Sequence, residues 1–137
     1  MSGISAGQGV MPIFIDLNRT HATNPLWMGH ARFHLVQQVF SLLLAAVLEV
    51  GLLWWPGGAL AARFYLAAGL AATSLAGFLL AVLTRRLYGG TLHDPNGMKP
   101  VRIRTRRGVI EIDINVPIVG IATMILVGAV VLFWRGA

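Results

Sequence analysis

The chain has 137 residues, of which 56% are hydrophobic and only 12% are Asp, Glu, Lys or Arg, about half the charged share of a soluble domain. That balance excludes a cytosolic enzyme of this size and a disordered tail alike. The net charge is +6 and Cys is absent. The basic residues flank apolar stretches, which points to membrane topology rather than to nucleic acid, and without thiols there are no disulfides, thiolate nucleophiles or Cys-ligated metals.

The first apolar segment covers residues 4–17, with Pro12 inside it. Fourteen residues are short of the roughly 20 that a complete helical span needs. We expect a short, tilted fourth membrane helix, with an interfacial helix as the alternative. After a polar stretch a helix is predicted over about 28–55, apolar from residue 35 onward except for Glu49. Pro56-Gly57-Gly58-Ala59 then permits only a tight turn into a second long helix, 60–84. The last span, 116–134, carries no charge. Trp54, Trp55 and Trp134 stand at span ends, where the amphipathic indole favours the headgroup zone. Gly69, Thr73 and Gly77, and Gly120 and Gly128, have the spacing that lets helices approach closely. The expected fold class is an all-α membrane protein: one integral membrane domain over 1–137, a bundle of three firm transmembrane helices plus the short N-terminal one.

Between the second and third long helices, Val101-Arg102-Ile103-Arg104-Thr105 and Ile110-Glu111-Ile112-Asp113-Ile114 alternate apolar and polar residues, the period of a strand with one wet face. A turn at Arg107-Gly108 would set Arg104 opposite Glu111 and Arg102 opposite Asp113. This predicts a small β-hairpin over 101–114 at the cytoplasmic membrane surface; the alternative is that 109–115 simply begins the last helix.

Nine basic residues (Arg19, Arg32, Arg85, Arg86, Lys99, Arg102, Arg104, Arg106 and Arg107) fall on one side of the expected membrane and two, Arg63 and Arg135, on the other. The positive-inside rule then places the nine in the cytoplasm, with the C-terminus outside. The expected location is a cytoplasmic or inner membrane crossed several times. The partners expected are the lipid bilayer and anionic lipid at the basic loop, with oligomerisation left open and no nucleic acid.

All four histidines, His21, His30, His34 and His93, lie on the basic side. His30 and His34 share a helix face with Gln37, Gln38, Ser41 and Glu49, and a polar stripe on a membrane helix should face protein. Three readings of the stripe stand open. The histidines could fix loops at headgroup level. The i, i+4 pair could chelate a metal, completed by Asp16, His21, His93 or Asp94. Or an imidazole could move protons on a lipophilic substrate, with His30 or His34 as acid/base and Asp16 orienting it. His21, Asn24, Trp27, Gln38, His93 and Asp94 are then the candidate ligand-binding residues. Glu49, deep in its span, is expected to pair with Arg63 across the tight turn, a proton relay or a ligand role being the other option. No Walker, dinucleotide or serine-hydrolase motif specifies a cofactor.

The run Asp16-x-Asn18-x-Thr20-His21-x-x-Asn24-Pro25-x-Trp27-x-x-His30-Ala31-Arg32-Phe33-His34, with Asp94-Pro95-Asn96-Gly97 later, resembles a family of small uncharacterised four-helix integral membrane proteins with an N-P-x-W-x-x-H-A-[R/K]-F-H signature. The resemblance implies the four-helix architecture and the choice of site residues, and no particular activity. The first helix is longer in that family. The leading functional expectation is therefore binding, with acid/base conversion as an option, of a small lipophilic molecule in a histidine-containing pocket near the cytoplasmic leaflet. The alternative is a non-catalytic membrane subunit or scaffold; a metal-binding protein and a transporter built from several copies follow.

Overall fold

The computed structural model describes residues 1–93, 99–106 and 108–136. In chain order they form α1 (Ser2–Asp16), α2 (Gly29–Trp54), α3 (Leu60–Thr84) ending in a 3-10 turn (Arg85–Leu87), β1 (Val101–Thr105), β2 (Gly108–Ile112) and α4 (Asn115–Gly136). The protein is mostly helical, and α2, α3 with its 3-10 extension, and α4 are each long and apolar enough to cross a membrane.

Local chemistry sets the boundaries. Pro25 and Leu26 form a turn closed by the Trp27 N–H on the Asn24 carbonyl, and Met28 enters the helix from the β region. Trp55, just before Pro56, is forced back to extended backbone (φ −61°, ψ 125°) and ends α2. Ala59 turns the corner in the left-handed region (φ 58°), a conformation that costs a residue with Cβ about 1 kcal/mol. α3 can begin one residue later because of it.

The helices run up and down. α1 lies antiparallel on α2: the Trp54 indole N–H donates to the Ser2 hydroxyl at one end, and further along Gly9 meets Leu42, Leu43 and Ala46. α3 buries a strict stripe, Phe64, Ala67, Ala68, Ala71 and Leu75, at the 3–4 residue spacing of one helix face. Its small alanines admit α1, whose Met1 and Ile4 pack on the cluster of Ala68, Ala71, Leu75 and Leu126. α4 leans on α3, with Phe133 stacked on Phe64 (ring centroids 3.9 Å apart) and Tyr65 edge-on to Phe133. Leu126 is its only buried residue among those described.

Two expectations change here. The hairpin forms, but Arg102 pairs with Glu111, Ile103 with Ile110 and Arg104 with Val109, two residues away from the predicted register. Thr105 pairs directly with Gly108, so the connection is two residues, the shortest a hairpin uses. Both registers keep the apolar residues on one face; turn length decides between them. The second change concerns glycine. A Cβ at Gly69, Gly77, Gly120 or Gly128 would meet nothing within 4 Å, so these residues do not mediate packing within the chain. The close approach is at Gly9, where a Cβ would stand 2.5 Å from the Ala46 Cβ and 3.3 Å from two α2 backbone atoms. Gly9→Ala is expected to lower stability by about 1–3 kcal/mol through overpacking, while Gly69→Ala and Gly77→Ala stay within about 0.5 kcal/mol of the parent or improve on it; thermal unfolding in detergent measures all three.

Candidate functional site

The loop 17–28 is organised by two asparagines. Asn18 donates from Nδ2 to the carbonyls of Phe14 and Ile15, both at 2.8 Å, satisfying the open end of α1. Its Oδ1 accepts from the Thr20 backbone N–H at 2.8 Å and from the Thr20 hydroxyl at 2.6 Å. Asn24 is 2% exposed; it donates to the Thr20 carbonyl and accepts from the Leu26 N–H, each at 3.0 Å. Its amide is consumed by the loop, which makes it a framework residue in this fold.

The Asn18 bonds fix the histidine beside them. An amide oxygen only accepts, so the Thr20 hydroxyl spends its proton on Asn18 and must accept from its other neighbour, His21 Nδ1, 2.7 Å away. Nδ1 therefore carries hydrogen, and in the neutral ring the lone pair sits on Nε2. The same Nδ1 lies 3.9 Å from Asp16 Oδ1, and Trp27 meets the ring edge-on at 5.3 Å. Burial raises the Asp16 carboxyl above the ordinary aspartate range, and the His21 charge offsets part of that rise. Asp16, His21 and Trp27 thus come together in one half-buried group.

His30 and His34 do not join it. Their Nε2 atoms lie 3.0 Å apart on the exposed first turns of α2, and His34 Nδ1 donates to Gln37 Oε1 at 3.3 Å. With Nδ1 as donor, neutral His34 accepts at Nε2 from His30 Nε2–H. Among the described residues no hydrogen bond, ion pair or ring contact links this pair to Asp16, so Asp16 stands beside His21 and not beside His30 or His34. No group of three or more His, Asp or Glu placed to hold a metal occurs among the described residues. Gln38 is exposed. His93 is exposed beyond α3, beside Lys99, Arg102 and Glu111; Asp94 lies outside the described residues.

Depth distinguishes the loop. Gly9 sits opposite residues 42–46 of α2, and α1 ends at Asp16. It therefore stops level with about residue 37, about 12 Å short of the start of α2 by helical rise. The loop occupies that missing height, beside the first turns of α2.

The expected Glu49–Arg63 ion pair is absent. Arg63 donates instead to the carbonyls of Leu52 (3.3 Å), Trp55 and Gly57 (2.6 Å). A helix C-terminus offers unsatisfied carbonyls and a negative dipole end close by, and these win the guanidinium. Glu49, 2% exposed, faces the Ser5 hydroxyl of α1 without hydrogen-bond geometry. Ser5 Oγ, Gln8 Oε1 and Glu49 Oε2 are all buried without a partner, while Gln8 Nε2 donates to the Ala71 carbonyl at 3.1 Å. Sequence reasoning singled out Glu49 and missed its neighbours. The signal was there: Ser2, Ser5 and Gln8 recur every three residues along one side of an apolar segment. A second omission is a cavity of about 200 Å³ between the end of α3 and the start of α4, where Arg85, Tyr88, Asp113 and Asn115 meet. Asn18 caps α1, and Asp113 accepts from the Asn115 N–H to start α4.

The chain matches no family model, no curated protein and no solved structure.

Two measurements follow from this geometry. Arg63→Gln should cost about 1–3 kcal/mol through its lost carbonyl contacts, whereas Glu49→Gln should hold or raise the melting temperature, because it removes a buried charge with no cation opposite. A double-mutant cycle should then show coupling below about 0.5 kcal/mol. For Asp16, a raised pKa in the fold means that its contribution to stability is complete below the unfolded-state value, near 3.9, and is lost as pH rises through the folded value. Asp16→Asn should therefore remove a decline in melting temperature with rising pH, and a variant with the parent's pH profile overturns the assignment.

Proposed function

We propose that the protein is a multi-pass integral membrane protein that binds a small lipophilic molecule beside the loop 17–28 and exchanges a proton with it through His21. Three helices with exposed aliphatic flanks support the membrane placement: Leu44 is 64%, Leu83 77% and Leu132 72% exposed. In water so much contiguous apolar surface is untenable; in lipid it costs nothing. The excess of basic residues around the loop 17–28 and the hairpin orients that end to the cytoplasm. The N-terminal helix is the short fourth member that the residue count anticipates.

The observation that carries the site is the His21 tautomer. Nδ1–H is held by Thr20 and faces Asp16, so Nε2 presents a lone pair and makes no hydrogen bond among the described residues. A carboxylate behind the ring stabilises the imidazolium that forms when Nε2 takes a proton. Asp16 supplies that carboxylate, His21 the base, and Trp27 an apolar edge for a hydrophobic ligand. His30 and His34, joined to one another and exposed, form a second imidazole pair outside this group. The competing scaffold reading draws on Asn18 and Asn24, whose polar atoms are spent on the loop itself.

Mass spectrometry of lipophilic molecules retained by the detergent-purified protein separates the two. The parent and His34→Gln should retain the same small molecule, and His21→Gln should lose it at least tenfold with an unchanged melting temperature. Identical retention by all three proteins refutes the site. A chain released from membranes by alkaline carbonate refutes the membrane placement.

A further inference from the structure

The hairpin is amphipathic, and among the described residues no other element covers it. Val101, Ile103, Ile110 and Ile112 share one face and are 46%, 46%, 52% and 37% exposed; Arg102, Arg104, Val109 and Glu111 share the other. A two-stranded hairpin is marginal in water and needs a surface for its apolar face. Only two residues separate the end of β2 from α4, so if α4 spans a membrane the hairpin is held within a few ångströms of that membrane's surface. Arg102 is neutralised by Glu111 at 2.9 Å, whereas Arg104 and Arg106 have no acidic partner or hydrogen bond among the described residues.

We propose that the hairpin lies flat on the cytoplasmic leaflet, its Val101–Ile103–Ile110–Ile112 face in the headgroup region, with Arg104 and Arg106 reaching down to the phosphates of anionic lipids. This rests on the membrane placement above. A bilayer fits better than a protein partner because the patch joins one apolar face to unpaired guanidiniums, the composition that binds an anionic interface. Long arginine side chains on the upper face can bend past the strand edge to a phosphate. The linkage to α4 also makes the encounter intramolecular, so no affinity in free solution is required.

The absence of Cys allows single labels. Full-length Ile103→Cys, Val109→Cys and Leu44→Cys variants carrying an environment-sensitive fluorophore are reconstituted in vesicles of equal parts phosphatidylcholine and phosphatidylglycerol; Val109 lies on the face opposite Ile103 and is 57% exposed. The label at 103 should be shielded from aqueous iodide severalfold relative to that at 109 and quenched by a lipid carrying a shallow quencher. The label at 44 should respond only to a deep quencher. Pure phosphatidylcholine vesicles, or the added pair Arg104→Gln and Arg106→Gln in the Ile103→Cys chain, should abolish most of the shielding at 103. Equal iodide access at 103 and 109 with a shielded 44 overturns the proposal and leaves the membrane placement standing. Free iodide access at 44 overturns both. Shielding at 103 that depends on protein density and not on lipid charge also overturns it, with a second copy as the occupant.

Discussion

Backbone-level contact between α1 and α2 at Gly9 governs the arrangement of the whole polar interior. Only a residue without Cβ lets α1 settle against Ala46 and the α2 backbone, and that approach brings Ser5 onto Glu49 and Gln8 onto the Ala71 carbonyl. It also fixes how far α1 reaches along α2, and hence where the loop beyond Asp16 must fold. In a bilayer much of the energy here would be packing, since apolar side chains gain little hydrophobic stabilisation by leaving lipid. A single methyl group at Gly9 therefore acts on the interior polar groups and on the loop together.

The loop shows how a polar segment becomes rigid without a core. Two asparagines absorb the carbonyls and N–H groups that a turn leaves open, and the last hydroxyl in that chain determines which nitrogen of His21 carries its proton. Preorganisation of this kind costs a catalytic or binding imidazole nothing at the moment of use. At the other end of the bundle Glu49 remains a buried carboxyl with an unpaired oxygen. It contributes no ion pair to the helical hairpin, because Arg63 is committed to the end of α2.

Helix extents were legible in the sequence because apolar run length and proline position decide them, and each predicted helix lies within two residues of its observed bounds at both ends. The hairpin was legible from its alternation, but its register was not. The pattern Arg-Ile-Arg against Ile-Glu-Ile fits two alignments with the same facing, and the choice depends on the two-residue connection before Gly108. The i, i+4 relation of His30 and His34 was readable; which side of α2 faces α1 was not, since that depends on Gly9, a residue that looks unremarkable in an apolar segment. Asp16 and His21 are five apart across a helix end, where no periodicity applies, and the hydrogen bonds of Asn18 and Thr20, with the Ala22 N–H on the Asp16 carbonyl, bring them together. Arg63 was drawn to carbonyls that no residue-by-residue inspection displays.

The brevity of α1 has a consequence for the surrounding solvent. Fifteen residues span about 22 Å, against about 30 Å for a bilayer's hydrocarbon core. Lipids beside α1 would meet an apolar wall roughly a quarter too short, with the deficit all on the side of Asp16 and His21. Hydrophobic mismatch of that kind is relieved by thinning one leaflet locally, drawing headgroups and water inward toward the loop. A molecule dissolved in that leaflet would then reach His21 sideways, from the lipid, at the depth where its own polar end already resides.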